Sequence, residues 1–586
     1  MATTEPPRLV PVSPVPAESP WFANYEAAVP RTIAYPDIPL QHLLKDAATR
    51  YPNNTATVFL GGKLTYSELY AQVNAFASAL AELGVKKGDR VALLLPNCPQ
   101  DVIAYYGALT AGAIVVPTNP MYVENELMHQ FNDAGAETVV TLTMFYPTVR
   151  KIRPQTQIKN IVVTNIKDYF PPLIRLLFTL AKEKKEGHRV PYEGDKGAYS
   201  FKQLIERHRG RAADGHVYAS EVKPDEVALF QYTGGTTGIS KGAMLTHRNL
   251  VANALQVRHW LSDCAEGKEI ILSVLPFFHV YAMTTCMNFA VAVAGTMLLL
   301  PRFQLADVLK TINKHKPSIF PGAPAMYVAI NNHPEIQKYD LKSIRVCISG
   351  AAPLPVEVQQ KFEALTGGRL VEGYGLTEAS PVTHCNPIYG KRKAGSIGLP
   401  FPDVEARIVD IEDRERTLGV GEVGELAVRG PNVMKGYWNM PEETENVLQG
   451  EWLFTGDIAK MDEEGYFFIV DRKKDMIIAS GYNIYPRDVE EVLYQHPKIK
   501  EAVVVGVPDE YRGETVKAYI VLKEGETATA DEIVEFCRNR LARFKVPKLI
   551  EFRTQLPKTI VGKVLRRVLL EEEKQKLAEA QSSKKE

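Results

Sequence analysis

Apolar residues along this chain change their spacing repeatedly, and each change marks an element. Thr55-Ala-Thr-Val-Phe-Leu, the pair Gly61-Gly62 and then Lys63-Leu-Thr read as a β-hairpin. Leu69, Val73, Phe76 and Leu80 follow at helical spacing behind Thr65, with Glu68 three residues on, which is the pattern of a capping box. Gly84 ends that helix. Arg90-Val-Ala-Leu-Leu-Leu95 has the length of a buried strand, and a helix through 101–111 and a strand Ala113-Ile-Val-Val116 come next. Strand–helix–strand alternation predicts α/β architecture with parallel strands.

Further on, the strand-like run Val227-Ala-Leu-Phe-Gln231 leads into Tyr232-Thr-Gly-Gly-Thr-Thr-Gly-Ile-Ser-Lys241-Gly. Glycines let backbone N–H groups approach a polyanion, hydroxyls add donors and the lysine adds a point charge, so the stretch has the chemistry of a phosphate-holding loop. It is not a Walker A loop, because Lys241 lies between Ser240 and Gly242. From Val280 to Leu300 there are 21 residues without a formal charge, long enough to span a bilayer. Thr284, Thr285, Asn288, Gly295 and Thr296 interrupt the run. A buried helix over 281–294 and a buried strand over Thr296–Leu300 are the expectation instead. The strand Ser343–Ile348 opens into Ser349-Gly-Ala-Ala-Pro353, and Leu370-Val-Glu-Gly373-Tyr-Gly-Leu-Thr-Glu378 repeats that strand-to-loop change. α/β sheets place ligands at such strand ends.

Residues 400–470 read as short strands and turns. The charge-dense Asp471-Arg-Lys-Lys474-Asp475 then precedes a different texture: an amphipathic helix from Pro486 to His496, strands at 502–506 and 516–522, a helix over 531–542 and a last strand near Ile550. This is a small α+β unit, and the shift places a domain boundary near residue 472. A charged tail from Glu571 reads as a frayed helix. Residues 1–40 are proline-rich and read as an arm on the surface.

Composition changes this picture little. A chain of 586 residues is too long for one core. Lys+Arg and Asp+Glu both total 69, so no global field points to nucleic acid. Six cysteines at 98, 264, 286, 347, 385 and 537 form no C-x-x-C pair, which argues against zinc or a disulfide framework and fits a reducing, cytoplasmic setting. The first twenty residues hold six prolines and no apolar core of a signal peptide. Charge is informative only in residues 150–190, where ten Lys/Arg face three acids around Tyr169-Phe-Pro-Pro-Leu-Ile-Arg-Leu-Leu-Phe-Thr-Leu180. That segment suits peripheral contact with an anionic membrane, on the inner face if the protein is cytoplasmic. The plainer reading is a solvated loop whose apolar part packs on the domain, and both stay open.

Taken together, Tyr232–Gly242, Leu275–Met283, Glu372-Gly-Tyr-Gly-Leu-Thr-Glu378, Trp452–Asp457, Asp471–Pro486 and Leu556-Pro-Lys-Thr-Ile-Val-Gly-Lys563 resemble, in type, order and spacing, the motifs of the adenylate-forming enzymes. That superfamily includes acyl-CoA synthetases, luciferase and peptide-synthetase adenylation domains. The resemblance covers about 40–570, and the first, third and fifth motifs are most similar to bacterial long-chain fatty acid–CoA ligases.

The resemblance implies a large ATP- and acyl-binding domain over 41–471, a hinge at 472–475 centred on Lys474, and a small mobile domain over 476–586. It implies a carboxylate and MgATP giving acyl-AMP and pyrophosphate, followed by displacement of AMP by the CoA thiol. Lys563 would bring positive charge to the α-phosphate and His279 would lie near the acyl carboxylate. Glu378 would hold Mg²⁺, a hard cation suited to carboxylate oxygen. Thr233, Gly234, Gly235, Thr236, Thr237, Gly238 and Lys241 would grip the β- and γ-phosphates. Gly350, Ala351, Ala352, Gly373, Tyr374 and Gly375 would receive adenine, Thr377 a phosphate, and Asp457 with Arg472 the ribose. Gly481 and Tyr482 would belong to a CoA face. Medium-chain or aryl acids are alternative substrates, and a fatty-acid-binding, membrane-associated protein with vestigial catalysis is the alternative of another class. A homodimer is allowed, with no residue pattern pointing to it.

Overall fold

The computed structural model describes residues 9–213, 220–233, 240–479, 482–509, 512–559 and 564–582. Within them, Ser240–Glu405 and Arg429–Leu453 join the N-terminal part of the chain in one compact unit, and Ala406–Val428 joins the stretch from Phe454 onward in a second. By packing, the second unit thus takes in residues ahead of the change of texture near 472, and residues 472–475 fall inside it.

In the first unit the predicted strand–helix alternation builds two sheets. One has the strand order Gly242–Thr246, Val227–Tyr232, Ile114–Pro117, Arg90–Leu94, Thr138–Leu142, Asn160–Thr164 and Ala198–Ser200. Its neighbours are parallel except for the hairpin formed by the first two. The other has nine strands, with Arg369–Gly375, Val346–Ser349, Ile319–Gly322, Ile270–Ser273, Thr296–Leu299 and Thr55–Phe59 parallel in its centre. Parallel strands covered on both faces need continuous apolar runs, which is why the sequence reads as blocks rather than as alternation. The capping box forms as expected: Glu68 N donates to Thr65 Oγ1 at 3.2 Å and Thr65 N to Glu68 Oε2 at 2.8 Å, opening the helix Tyr66–Glu82.

Residues 280–300 go into the interior, all of them buried but Ala292 and Thr296. The expected helix is interrupted: Val280–Ala282 is α-helical, Met283–Asn288 is a π segment, and Phe289–Ala292 is α-helical again before the strand Thr296–Leu299. Its polar residues find partners. Thr284 Oγ1 donates to Ser380 O at 2.7 Å, and Asn288 Oδ1 accepts from Tyr106 OH at 3.0 Å. Among the described residues no helix is long and apolar enough to cross a membrane.

The N-terminal arm is anchored more firmly than a surface strap. Trp21, Phe22, Ile33 and Tyr35 of the arm are buried, and Ile33 N and Tyr35 OH both donate to Asp403 Oδ2, at 2.8 and 2.9 Å.

The second unit carries the expected small α+β fold. A sheet of Ile477–Ala479, Tyr482–Ile484, Gly513–Leu522, Ile499–Asp509 and Leu549–Phe552 packs on the helices Pro486–Tyr494 and Ala530–Arg538. The helix expected over 531–542 ends at Arg538, and the tail helix starts at Arg566 instead of Glu571.

Candidate active site

Ser349, the last residue of its strand, pairs with Glu372 of the neighbouring parallel strand, so Gly350-Ala351-Ala352 and Gly373-Tyr374-Gly375 emerge side by side at one sheet edge. That is the ligand-binding edge of an open α/β sheet. Gly350 packs closely on Tyr281: a Cβ there would stand 3.1 Å from the Tyr281 ring, a tight contact. Ala351 takes a left-handed conformation, φ 70°. Tyr281 itself is fixed by donating from its hydroxyl to Ile348 O at 2.7 Å. Two residues earlier, His279 is half-buried and accepts from Tyr281 N at 3.4 Å, capping the short helix Val280–Ala282. Gln231 Nε2 donates to Phe278 O at 2.9 Å, which ties the strand before the glycine-rich stretch to the His279 segment.

The glycine-rich stretch is closed at its base. Tyr232 pairs with Gly242 across the hairpin, and Thr233 N donates to Lys241 O at 2.9 Å. Gly234, Gly235, Thr236, Thr237 and Gly238 lie outside the described residues. The segment Met434–Trp438 runs beside Gly242–Thr246, with Met244 N donating to Gly436 O and Trp438 N to Gly242 O, both at 2.8 Å. At its other end Met434 N donates to Glu378 O at 2.8 Å.

This segment sets Tyr437 between two predicted site residues. Its hydroxyl donates to Glu378 Oε1 at 2.6 Å, and Lys241 Nζ stands 5.3 Å from its ring centroid while pairing with Glu443. Burial, and then the Glu378 carboxylate, raise the Tyr437 phenol well above its usual range, so it stays a donor. Thr377 and Glu378 sit on the single 3₁₀ turn Thr377–Ala379.

Among the described residues no lysine or arginine pairs with the Glu378 carboxylate, and no cluster of three His, Cys, Asp or Glu could cage a metal. A lone carboxylate fits Mg²⁺, which keeps its waters and binds through one or two carboxylates together with substrate phosphates. Tyr374 pairs with His384 across its ladder and makes an edge-on ring contact with it at 5.9 Å.

In the second unit Asp457 and Arg472 face each other across an antiparallel ladder, Arg472 Nε 3.3 Å from Asp457 Oδ1. Lys474 is exposed in the turn that follows. Lys563 and Gly481 are outside the described residues, and Tyr482 begins the strand Tyr482–Ile484. Three residues after Lys563, Arg566 pairs with Asp475 at 3.0 Å and Glu490 at 2.7 Å. Nearby Asp471 is pushed up to about 6 by burial, against the opposing pull of Arg566.

A model of the AMP-binding enzyme family matches residues 44–438, and one of the AMP-binding enzyme C-terminal domain matches 488–563. The chain belongs to this family. It is 50% identical to the long-chain-fatty-acid–CoA ligase of Bacillus subtilis (strain 168), over 95% of this chain and 98% of that protein. To the long-chain-fatty-acid–CoA ligase of Escherichia coli O157:H7 it is 40% identical, over 95% and 99%. Among solved structures, ATP-bound MatB from Rhodopseudomonas palustris superposes with a TM-score of 0.78 at 29% identity, covering 91% of this chain and 99% of that one. The family's large N-terminal AMP-binding domain and small C-terminal domain account for the two parts of the fold.

Of the residues expected in the first unit, Lys241 and Glu378 are linked through Tyr437, Thr377 shares the turn of Glu378, and Gly350–Ala352 stand beside Gly373–Gly375. Tyr437, Glu443, Gln231 and Tyr281 are contributors that the sequence reading leaves out. Lys241 and Glu443 are 202 residues apart, so no local spacing joins them. The available hint is an aromatic directly after Lys435-Gly436, followed by the acids of Pro441-Glu-Glu443.

Proposed function

We propose that this protein is a long-chain fatty acid–CoA ligase working through an acyl-adenylate. The observation that carries the reading is the near-complete likeness, at 50% identity, to a ligase of that name. Lys241 and Glu378, both beside Tyr437, support it in chemical terms, as does likeness to an ATP-bound relative. A fatty carboxylate oxygen attacks the α-phosphorus of ATP, and pyrophosphate leaves. The CoA thiolate then attacks the acyl carbon, the acyl C–O bond breaks, and AMP leaves with the former carboxylate oxygen.

Two anions meet in the first step, so cations that act as charge moves onto pyrophosphate lower its barrier. Lys241 is assigned to the β- and γ-phosphates. Its pairing with Glu443 is the contact that arriving phosphates replace. Mg²⁺ held by Glu378 would supply further neutralisation of the triphosphate. Tyr437 holds the carboxylate in place, and its aromatic ring keeps Lys241 on the same side. His279, fixed as a helix cap, is assigned to the acyl carboxylate, and Asp457 with Arg472 to the ribose. Lys563 is assigned to the α-phosphate, Lys474 to the hinge, and Gly481 and Tyr482 to the CoA face. Peripheral membrane contact through 150–190 is part of the proposal.

An ATP–pyrophosphate exchange assay over carboxylates from acetate to oleate, with and without CoA, tests the reading. Long-chain acids should support exchange and, with CoA, thioester formation. Exchange with no acid, or best exchange with an aryl acid, would overturn it.

A further inference from the structure

The helix Pro172–Ala181 is built the wrong way round for a helix that serves only its own domain. Its inward face is narrow. Phe178 is buried against Phe170, the ring centroids 5.4 Å apart, and Arg175 donates to Asp168 O at 2.8 Å. The stripe at Leu173, Leu176, Leu177 and Leu180, spaced i, i+3, i+4, i+7, faces solvent instead, at 68, 56, 57 and 76% exposure. That spacing is the apolar stripe that a surface helix normally turns inward. The neighbouring hairpin extends the patch: Leu60 is 45% exposed at its tip, and a Cβ on the adjoining Gly61 would lie 3.6 Å from Ile174. Contiguous exposed apolar surface of this kind marks an interaction site.

Charge identifies the occupant. Immediately after the stripe, Lys182, Lys184, Lys185 and Arg189 are exposed, and the one exposed acid among them, Glu186, stands 3.9 Å from Lys182. Glu183 turns inward and pairs with Lys167 at 2.6 Å. The cations earlier in the segment are committed elsewhere: Arg150 to Asp195, Lys151 to Glu124, Lys159 to Glu137, and Arg153 to three backbone carbonyls. The basic character of 150–190 is therefore concentrated beside the leucines.

We propose that the helix Pro172–Ala181 and the tip of the 55–65 hairpin seat in the surface of an anionic bilayer, leucines in the acyl boundary and Lys182, Lys184 and Lys185 among the headgroups. This rests on, and narrows, the membrane contact included in the proposed function. Ten residues make about 15 Å of helix, half a hydrocarbon core, so the helix lies in the interface and does not span it. An apolar face combined with flanking cations is what such interfacial helices use.

The test is sedimentation of the full chain with phosphatidylglycerol-containing and with pure phosphatidylcholine vesicles. Alongside run Leu176→Ser/Leu177→Ser, Lys182→Glu/Lys184→Glu/Lys185→Glu, and the control Lys151→Glu/Lys159→Glu. Thioester formation from detergent-dispersed oleate is assayed in parallel. The unaltered chain should partition at least about tenfold better onto anionic vesicles, either helix variant should lose most of that, and the control should keep it. All should retain the detergent-based activity, which separates this proposal from the ligase assignment. Equal partition of the helix variants overturns the surface, and no vesicle binding by the unaltered chain overturns membrane docking. A dimer broken by Leu176→Ser/Leu177→Ser assigns the face to a second copy and likewise overturns it.

Discussion

Residues 280–300 and the helix Pro172–Ala181 are both runs of aliphatic side chains nearly free of charge, the second broken only by Arg175. The first is buried almost throughout, and the second turns four leucines outward. What separates them is what surrounds the run. Thr284, Thr285 and Asn288 are matched by Ser380 O, Tyr281 O and Tyr106 OH, so the interior receives the first run with its polar groups satisfied. The helix Pro172–Ala181 is flanked by lysines that need water or anionic headgroups, and only Phe178 is buried. Hydropathy alone would rank the two alike.

Substitutions break or sharpen that contrast. Phe289→Ala, inside the buried run, should cost about 3–5 kcal/mol in urea unfolding, as a cavity in a close-packed core does. A smaller loss, near that of a surface change, would mean the run is not packed as described. Burial also acts on titration. His247 and His384 are both lowered to about 3 by desolvation, so they are neutral in the folded chain and protonate more readily when it unfolds. Their contribution to stability is intact above pH 6.5 and is lost as pH falls from there toward 3. The unfolding free energy from urea titrations should drop between pH 6.5 and 5 by up to about 2 kcal/mol per histidine; His384→Gln, which keeps His247, should lose about half of that drop, and a drop as large as the parent's would contradict the assignment.

Asn288→Leu keeps the bulk of the side chain but strands the Tyr106 hydroxyl, and should cost about 1–3 kcal/mol by the same measurement. At the other extreme, Leu176→Ser should change stability by no more than about 0.5 kcal/mol, because its side chain touches little of the domain. A cost comparable to Asn288→Leu would show that the leucine stripe is packed after all.

How far the sequence could be read follows the same division. Parallel strands, the Thr65 cap and the small C-terminal fold are encoded locally, in runs and caps a few residues long, and their positions are recovered to within a few residues. The π segment at Met283–Asn288 is not, because it depends on packing rather than periodicity. At the candidate site, Lys241, Thr377 and Glu378 stand in local motifs, which is why the sequence alone singles them out. Tyr437 is brought beside them by the pairing of Met434–Trp438 with Gly242–Thr246, a contact between distant segments that no spacing encodes. The outward face of Pro172–Ala181 was ambiguous for the same reason: the sequence gives the stripe, and only the fold gives its direction.

The claim on which the rest depends is that a carboxylate oxygen ends on AMP. Oleate labelled with ¹⁸O in both carboxylate positions, incubated with ATP, CoA and the protein, tests this directly by mass spectrometry of the nucleotide. The account predicts AMP carrying one ¹⁸O, formed together with oleoyl-CoA and unlabelled pyrophosphate. ADP as product, with the label in inorganic phosphate, would contradict it.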